Sequence, residues 1–477
     1  MNQLDLVIVA AYLIGLFIWA IYIGLKETAE DFLVLSRRAP LVLVAFSIIS
    51  TWVGTGTTIA TAASGYDLGI SLGVTAACGG LVGVVIAAWF APRLKWFGDT
   101  YRAHTIGDFF SARYSRTARL PASALLVIIY MLLTAAQFVG LTTLLHVWTG
   151  IDFGIIIWFA AVSTIIYTAF AGIKSDFYTD VIHFVVMVIV IVLILLPFVV
   201  KEIGGVHVVS ALPASYFNPF AFGGVSFFVA GLIFGGASVF VTMEVWQRVY
   251  ASSSGRNARL ALLVSVLVII GFYLVSSFLG MAAKLVNPSL PHRDQALFML
   301  MNKLLPTGLL GLGIAGFVAV FVSTVNSTIM VAAATVTKDF YRGLANRNAN
   351  DKQLLTAGRV STLICGAVGL VIAVLLPDLV ALSVNSLFML LVLVPAIVGG
   401  FFWERGTARG AASSVVIGTG VIVAFLAVSP TTAFVPGFAA SLLTYILVSL
   451  MTAHGKEEDL AIVGGWSRTV PDHKRNA

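Results

Sequence analysis

Charged residues are scarce in this chain. Only 10% of its 477 residues are Asp, Glu, Lys or Arg, whereas 59% are hydrophobic, and the mean hydropathy is +1.02. Soluble domains carry roughly 25% charged residues. This composition excludes a water-soluble globular domain and predicts a polytopic membrane protein.

The chain has only two cysteines and lacks several catalytic motifs. The two cysteines, Cys78 and Cys365, lie in apolar runs, so the sequence offers no disulfide framework and no CxxC metal pattern. HExxH zinc motifs and P-loops are missing. An enzyme is therefore not expected. A channel would need a pore loop or a charged selectivity ring, which the sequence lacks, so a transporter is favoured.

Apolar runs of bilayer-crossing length recur along the whole chain. A transmembrane helix needs about 20 mostly apolar residues, and thirteen runs fit this pattern. They span residues 4–25, 40–64, 68–92, 120–147, 151–172, 176–200, 223–246, 260–283, 307–335, 358–377, 380–403, 410–428 and 431–453. The first run follows Asp5 rather than basic residues and has no small-residue cleavage site, so it is interpreted as a retained span.

The basic residues predict an orientation for these spans. If the N-terminus is outside, all but four of the 28 Lys and Arg residues fall in cytoplasmic segments, Arg248 among them. Cytoplasmic loops of membrane proteins carry such an excess. We therefore expect a multi-pass protein of the cell (inner) membrane with an outside N-terminus and a cytoplasmic C-terminus. The lipid bilayer, rather than nucleic acid, explains the net charge of +7.

Glycines in two spans suggest an internal repeat. Gly54 and Gly56 lie in the span at 40–64, and Gly231, Gly235 and Gly236 lie five spans later in 223–246. Interrupted helices at matching positions of two five-helix halves indicate an inverted-repeat transporter with its site near the bilayer midplane. Glycine also lets membrane helices pack closely, so the pattern alone leaves both interpretations open.

A hydroxyl cluster occurs in the span at 307–335. On a helix, Ser323 and Ser327 share one face, with Thr324 beside them and Val320 one turn before. Hydroxyls and backbone carbonyls suit a hard cation such as sodium. Hydroxyls in membrane helices also bond to their own backbone or join helices, and periodicity does not decide between these roles.

Four segments resemble conserved motifs of the sodium:solute symporter family. They are EDFLVLSRRAP at 30–40, TIGDFFSARYSRTAR at 105–119, AGIKSDFYTDVIHF at 171–184 and VSTVNSTIMVAAATVTKDFYR at 322–342. The matches occur in the family's order. The resemblance implies sodium-coupled symport of a small organic solute by alternating access, with Na+ as the coupling ion and no obligate protein partner.

The resemblance also implies an all-α membrane fold with a LeuT-type inverted five-helix repeat. One extra helix would precede the ten core helices and two would follow, which matches the thirteen runs. The chain 1–477 would then be a single transporter domain. Its implied units are a leading helix at 4–25, a first repeat at 40–200, a second, inverted repeat at 223–403, two C-terminal helices at 410–453 and a cytoplasmic tail at 454–477.

Ion-binding residues follow from the same resemblance. The implied sodium ligands are the backbone carbonyls of Ser50, Val53 and Val320 and the hydroxyls of Ser323 and Thr324. Asp180 would serve sodium release or a second sodium ion, together with Asn326 and Ser327. A salt bridge between Asp180 and a basic loop is the alternative, because an unpaired carboxylate in the bilayer is costly.

The chain departs from the family signature at three positions. Ala171, Asp176 and His183 stand where Gly, Val and Gln are usual. His183 titrates near physiological pH and would allow proton coupling instead of, or beside, sodium coupling. A hydrogen-bonded side chain that fills a helix end is the alternative for this residue.

The substrate is suggested by two further resemblances. STWVGTG at 50–56 and QRVYASSS at 247–254 resemble segments of the choline transporters. Trp52 would then attract an ammonium group, and Glu244 would balance its charge. We therefore expect a cationic or zwitterionic nitrogen compound. The implied substrate-binding residues are Trp52, Gly54, Thr55, Gly56, Thr57 and Glu244.

Other interpretations of these residues stay open. The tryptophan expected about five residues before Q-R-V is Thr242 here, so choline itself is not implied. Trp52 is also consistent with ordinary helix packing, and Glu244 with an i,i+4 salt bridge to Arg248. A proton-coupled symporter of the same fold and a solute sensor without transport are the alternative functions.

Overall fold

The computed structural model describes residues 2–24, 26, 28, 31, 35–170, 172–376, 386–426, 433–454 and 460–463. Several sequence features fall partly outside these ranges, among them the EDFLVLSRRAP motif, the start of the predicted span at 380–403, and most of the tail at 454–477. Ala171 of the family signature also lies outside the described residues.

Within the described residues the protein is all-helical, and its only extended pairing is a single bridge between Ala39 and Ser252. The principal helices are α1 (Gln3–Gly24), α2 (Leu41–Trp52), α3 (Gly56–Leu68), α4 (Ser71–Thr100), α5 (Ile106–Arg113), α6 (Arg116–Thr149), α7 (Phe153–Phe170), α8 (Ile173–Ile203), α9 (224–241), α10 (Met243–Ala251), α11 (Gly255–Val286), α12 (Ala296–Leu304), α13 (Leu309–Ala345), α14 (Asp351–Leu375), α15 (Ser386–Phe402), α16 (Ala408–Leu426) and α17 (Phe434–Met451).

The thirteen predicted spans all have helical counterparts. In the described part of the chain, ten helices are long and apolar enough to cross a membrane, and the bent pair α2 and α3 makes an eleventh span. Two shorter apolar helices, at Gly224–Ile233 and Ser386–Phe402, correspond to the remaining two. Helix α13 is central: 83% of its most apolar stretch is buried, against 17% for α1. The all-α membrane fold is confirmed.

The first glycine-containing span is broken, as the sequence predicts. Helix α2 ends at Trp52 and α3 begins at Gly56, and the two are bent by 59°. Gly54 lies in the break, and its lack of a side chain leaves room for the Thr324 side chain of α13. A Cβ atom at Gly54 would lie 2.7 Å from the Thr324 hydroxyl oxygen. A larger residue would have to displace the Thr324 side chain.

The second glycine-containing span is also interrupted, but the interruption does not lie at its glycines. Gly231 and Gly235 lie within a π-helical turn of the continuous helix α9. The chain leaves helical geometry at Thr242, whose φ of −69° and ψ of 127° are extended, and α10 then begins at Met243. Gly231 of α9 instead permits close packing against α4, because a Cβ there would lie 2.5 Å from the Thr75 Cγ2 atom. The contact is tight on the other side as well: a Cβ at Gly79 of α4 would lie 2.4 Å from the Gly231 carbonyl oxygen.

Two of the family motifs meet at one end of the bundle. The amphipathic segment forms α5, which begins with a capping box between Thr105 and Asp108. The Thr105 hydroxyl donates to Asp339 of α13 over 2.9 Å, and Ser123 donates to the same carboxylate over 2.6 Å. Arg119 bridges Asp108 and Asp339. These bonds attach α5 to the end of α13.

The close approach of α4 and α9 gives a testable prediction with a matched control. Gly79→Ala places a methyl group against a backbone carbonyl, so we expect overpacking to destabilise the protein by about 1–3 kcal/mol. The neighbouring Gly80→Ala is the control, because a Cβ there meets nothing within 4 Å. Thermal unfolding of the purified protein should show a lower melting temperature for Gly79→Ala only. Equal melting temperatures would contradict the packing described here.

Candidate functional site

A central cavity of about 260 Å³ lies beside the break between α2 and α3. Its wall is formed by residues of both halves of the broken span and of helices α4, α6, α9, α10, α11, α13 and α15. All of the substrate-binding residues predicted from the sequence line this cavity, namely Trp52, Gly54, Thr55, Gly56, Thr57 and Glu244. The structure therefore brings this predicted set together.

Glu244 is the only charged side chain in the described lining of the cavity. It lies in the first turn of α10 and is 7% exposed. Tyr130 donates a hydrogen bond to its carboxylate, and the Trp52 side chain lies beside it. The i,i+4 ion pair with Arg248 that the sequence allowed is not formed between these two described side chains. Arg248 pairs instead with Asp176 at 3.1 Å.

The cavity also contains polar residues that were not predicted from the sequence. The Gln137 side chain accepts from the Thr55 amide at 3.2 Å and donates to the Thr55 hydroxyl at 2.9 Å. Gln137 thus ties α6 to the break. Thr328 and Tyr273 add further hydroxyls to the lining. No motif singled out these residues, because only the packing of α6, α11 and α13 turns them inward.

The predicted sodium ligands converge where α13 meets the break. The hydroxyl oxygens of Ser50 and Ser323 are 2.8 Å apart. The Thr324 hydroxyl lies 3.1 Å from both the Thr51 and the Val320 carbonyl oxygens. Ser50 and Val53 lie at the end of α2, where the last carbonyls of a helix lack intrahelical donors. All five predicted ligands are buried: Ser50, Val53, Val320, Ser323 and Thr324.

Asp180 lies directly behind this group of hydroxyls. Its two carboxylate oxygens accept hydrogen bonds from Ser47 at 2.6 Å and from Ser323 at 2.5 Å. The side chain is completely buried. Its basic neighbour is Arg248 at 3.6 Å, rather than a residue of a surface loop. The carboxylate is therefore in contact with one of the predicted sodium ligands.

The other two residues of the predicted second ion site face different partners. The Ser327 hydroxyl donates to Asp176 over 2.8 Å and accepts from Arg248 over 2.7 Å. Asn326 accepts a hydrogen bond from Thr168 of α7. Arg248 connects Ser327 with Asp180, because its side chain contacts both residues.

The burial of Arg248 was not predicted from the sequence. The charge pattern counted this residue in a cytoplasmic segment, and in the structure it is 1% exposed and lies among the helices of the bundle. Helix α10 begins immediately after the interruption at Thr242 and points Arg248 at α2, α8 and α13. A single arginine in a short polar segment gave no signal of this burial, since its partners are distant in sequence.

His183 has an ordinary structural partner. Its Nδ1 atom lies 2.7 Å from the Tyr12 hydroxyl oxygen of α1. The imidazole is fully buried between the leading helix and α8. This geometry favours the hydrogen-bonded filler over a proton carrier.

The bundle and its buried cavity define the class of protein. A broken membrane helix that presents backbone and hydroxyl groups to a midplane cavity is the architecture of a LeuT-type secondary transporter. The fold matches that of a Na+-coupled sialic acid symporter, solved in a substrate-bound outward-open state. The TM-score is 0.84 at 20% identity, covering 96% of this chain and 99% of that one.

Sequence comparison identifies the family. The sodium:solute symporter family matches residues 32–418, and the chain belongs to this family. It is 25% identical to the osmoregulated proline transporter OpuE of Bacillus subtilis, over 80% of this chain and 82% of that protein. It is 24% identical to the sodium/pantothenate symporter of Escherichia coli, over 89% and 91%.

These comparisons also bear on the narrower expectations. Proline transporters and a sodium/pantothenate symporter are among the relatives, and the resemblance to the choline transporters is not supported. The family and the structural neighbour are sodium-coupled transporters, which supports a small-molecule substrate and sodium as the coupling ion. Nothing in these relatives points to an enzyme.

Proposed function

We propose that this protein is a sodium-coupled symporter that carries a small organic solute across the cell membrane by alternating access. The observation that carries the proposal is the contact between the hydroxyl face of α13 and the broken span, directly beside the cavity. Thr324 belongs to both places: it lines the cavity, and it bonds to the Thr51 and Val320 carbonyls. An ion bound there would influence the solute site without an intermediary.

The sodium ion would be held by the carbonyls of Ser50, Val53 and Val320 and the hydroxyls of Ser323 and Thr324. In this structure the hydroxyls bond to each other and to carbonyls, so protein donors occupy the oxygen atoms that a cation would attract. A sodium ion would replace these bonds and pull α13 and the broken span onto one centre. Asp180, bonded to Ser323, supplies a negative charge behind that centre.

Ion binding would bias the transporter toward one side of the membrane. Sodium would stabilise the outward-facing state with solute bound and would leave after the inward transition. At a membrane potential of about 100 mV one sodium ion supplies about 2.3 kcal/mol. A tenfold gradient adds about 1.4 kcal/mol, so one ion supports roughly five-hundredfold accumulation of a neutral solute.

The solute is proposed to be a cationic or zwitterionic nitrogen compound. Glu244 is the single charge of the described lining, and Trp52 lies against it, so a positive nitrogen group would find both a counter-charge and an indole ring. A cavity of about 260 Å³ suits a small molecule. The proline transporters among the relatives handle a zwitterion of this kind.

The wider arrangement follows the family. We propose that residues 40–200 and 223–403 form the two inverted repeats, framed by the leading helix and by the two helices at 410–453. The excess of basic residues in alternate loops supports an N-terminus outside and a C-terminus in the cytoplasm. The end of the bundle where α5 joins α13 would then face the cytoplasm.

The ion site gives the first prediction of this function. Ser323→Ala and Thr324→Ala each remove one proposed ligand, so we expect sodium affinity to fall at least tenfold while the protein still folds. Thr335→Ala is the matched control, because this buried threonine of α13 bonds only to its own helix, at 2.8 Å from the Val331 carbonyl. Sodium titrations of the melting temperature measure all three. Unchanged sodium affinity in both test variants would contradict the assigned site.

The solute site gives the second prediction. Melting temperatures should be compared for proline, betaine, pantothenate, sugars, nucleobases and carboxylates, each in sodium and in potassium buffer. A ligand that binds only the folded protein stabilises it by about 2.7 kcal/mol at a hundredfold excess over Kd. We expect a nitrogen compound to stabilise the protein in sodium buffer only. Glu244→Gln should weaken the binding of that compound about tenfold.

Gln137→Glu adds a second carboxylate to the same cavity. This variant should therefore bind a cationic ligand more tightly than the wild type does. Stabilisation by a sugar or a carboxylate, unaffected by Glu244→Gln, would overturn the proposed solute class. Binding without sodium dependence would overturn the coupling.

A further inference from the structure

A second cavity, of about 1150 Å³, lies at the end of the bundle where α5 joins α13. Its wall is formed by the segment before α2, the connection between α4 and α5, helix α5, the start of α6, and the end of α13 with the residues that follow it. The described linings of this cavity and of the central cavity have no residue in common. The second cavity is therefore separate from the proposed solute site.

Positive charge dominates the lining of the second cavity. The described lining contains seven Lys and Arg side chains but only two carboxylates, Asp108 and Asp339. Arg119 pairs with both carboxylates, and Lys338 also attracts Asp108, so these four charges balance. The remaining basic side chains are five exposed arginines, and none of them forms an ion pair with an acidic residue in the part of the chain that the structure describes. They are Arg38, Arg102, Arg116, Arg342 and Arg347, and we call them the arginine rim.

The convergence of the arginine rim is not explained by membrane topology alone. An excess of basic residues at one end of a membrane protein is common, but it does not require them to surround one cavity. The five arginines come from four separate parts of the chain: the segment before α2, the connection between α4 and α5, the start of α6, and the end of α13 with the residues after it. Their charges repel one another. A concave surface lined by one sign of charge attracts ions of the opposite sign, so this cavity suits a multiply charged anion.

The chemistry of the lining favours phosphate groups. The planar guanidinium of arginine binds phosphate through two parallel hydrogen bonds. Ser111 and Thr117 add hydroxyl groups to the lining. Helix α6 begins at Arg116 and has no acidic residue in its first turn, so the positive end of the helix dipole adds to the charge of the rim.

The position of the cavity favours a lipid as the source of those phosphates. Helices α6 and α13 are both long and apolar enough to span the membrane, and the cavity lies between the start of one and the end of the other. This position corresponds to the level of the lipid headgroups. Leu120 and Leu344 give the cavity an apolar edge, and Leu344 is 57% exposed. Basic pockets between membrane helices bind headgroups that carry several phosphates.

We propose that this cavity binds the headgroup of an anionic phospholipid that carries two phosphate groups. One phosphate can contact only part of a rim that surrounds about 1150 Å³, whereas two phosphates would reach arginines on different helices. The bound headgroup would connect the segment that leads into α2 with the end of α13. The site is defined without reference to sodium or to the solute, so it does not depend on the proposed function.

The experiment measures lipid binding to purified, delipidated full-length protein in detergent, with the melting temperature as the readout. The probes are cardiolipin, which carries two phosphates, phosphatidylglycerol, which carries one, uncharged phosphatidylcholine, and inorganic pyrophosphate as the soluble anion. At equal phosphate concentration we expect cardiolipin to bind about tenfold more tightly than phosphatidylglycerol. Phosphatidylcholine and pyrophosphate should leave the melting temperature unchanged.

A pair of double variants tests the arginine rim. Arg116→Gln with Arg342→Gln removes two of its charges and should weaken cardiolipin binding about tenfold or more. Arg256→Gln with Arg409→Gln is the matched control, because it removes the same charge from two exposed arginines outside the cavity lining. The control should bind cardiolipin as the wild type does.

The outcomes separate a specific site from general charge attraction. Equal binding of cardiolipin and phosphatidylglycerol, or the same loss in both double variants, would overturn the inference, because binding would then follow net charge alone. Pyrophosphate that binds as tightly as cardiolipin, and less tightly to the rim variant, would overturn the lipid as the source of the phosphates. If the rim variant does not fold, the preference of the wild type between the two lipids still decides. A protein without sodium-dependent transport would still give these lipid results.

Discussion

A break in a membrane helix is tolerated only where its free carbonyls and amides find partners inside the protein. Here the break between α2 and α3 finds them in hydroxyl groups. Thr57 and Thr58 of α3 reach back to carbonyls of the break at 2.6 and 2.8 Å. Thr324 reaches the end of α2 from α13, and Gly54 leaves room for it. The cavity, the proposed ion site and Asp180 are all arranged around this break.

The same hydrogen bonds make the break adaptable. A hydroxyl bonded to a carbonyl contributes only about 0.5–1.5 kcal/mol net, because water would satisfy both groups in the unfolded state. A cation can therefore compete for these oxygens without unfolding the bundle. Binding at Ser323 and Thr324 would exchange protein hydrogen bonds for ion contacts, and the broken span would move with them. This is how an ion one side chain away from the solute could bias the state of the whole transporter.

Local patterns in the sequence predicted much of this arrangement. The span count followed from apolar run length, whereas the cavity-lining set was implied by the resemblance to segments of the choline transporters. The interruption at Thr242 was missed, because nearby glycines gave a stronger signal and turned out to serve packing. Arg248 was missed for a different reason: its partner Asp176 is 72 residues away, so no local window shows that the charge is neutralised and buried.

The most direct test of the account is solute uptake into proteoliposomes under an inward sodium gradient and an inside-negative potential, with a solute shown to stabilise the protein. The account predicts transient accumulation above the external concentration that disappears when potassium replaces sodium on both sides. Solute binding with no uptake, or accumulation driven equally well by a proton gradient without sodium, would contradict sodium-coupled symport.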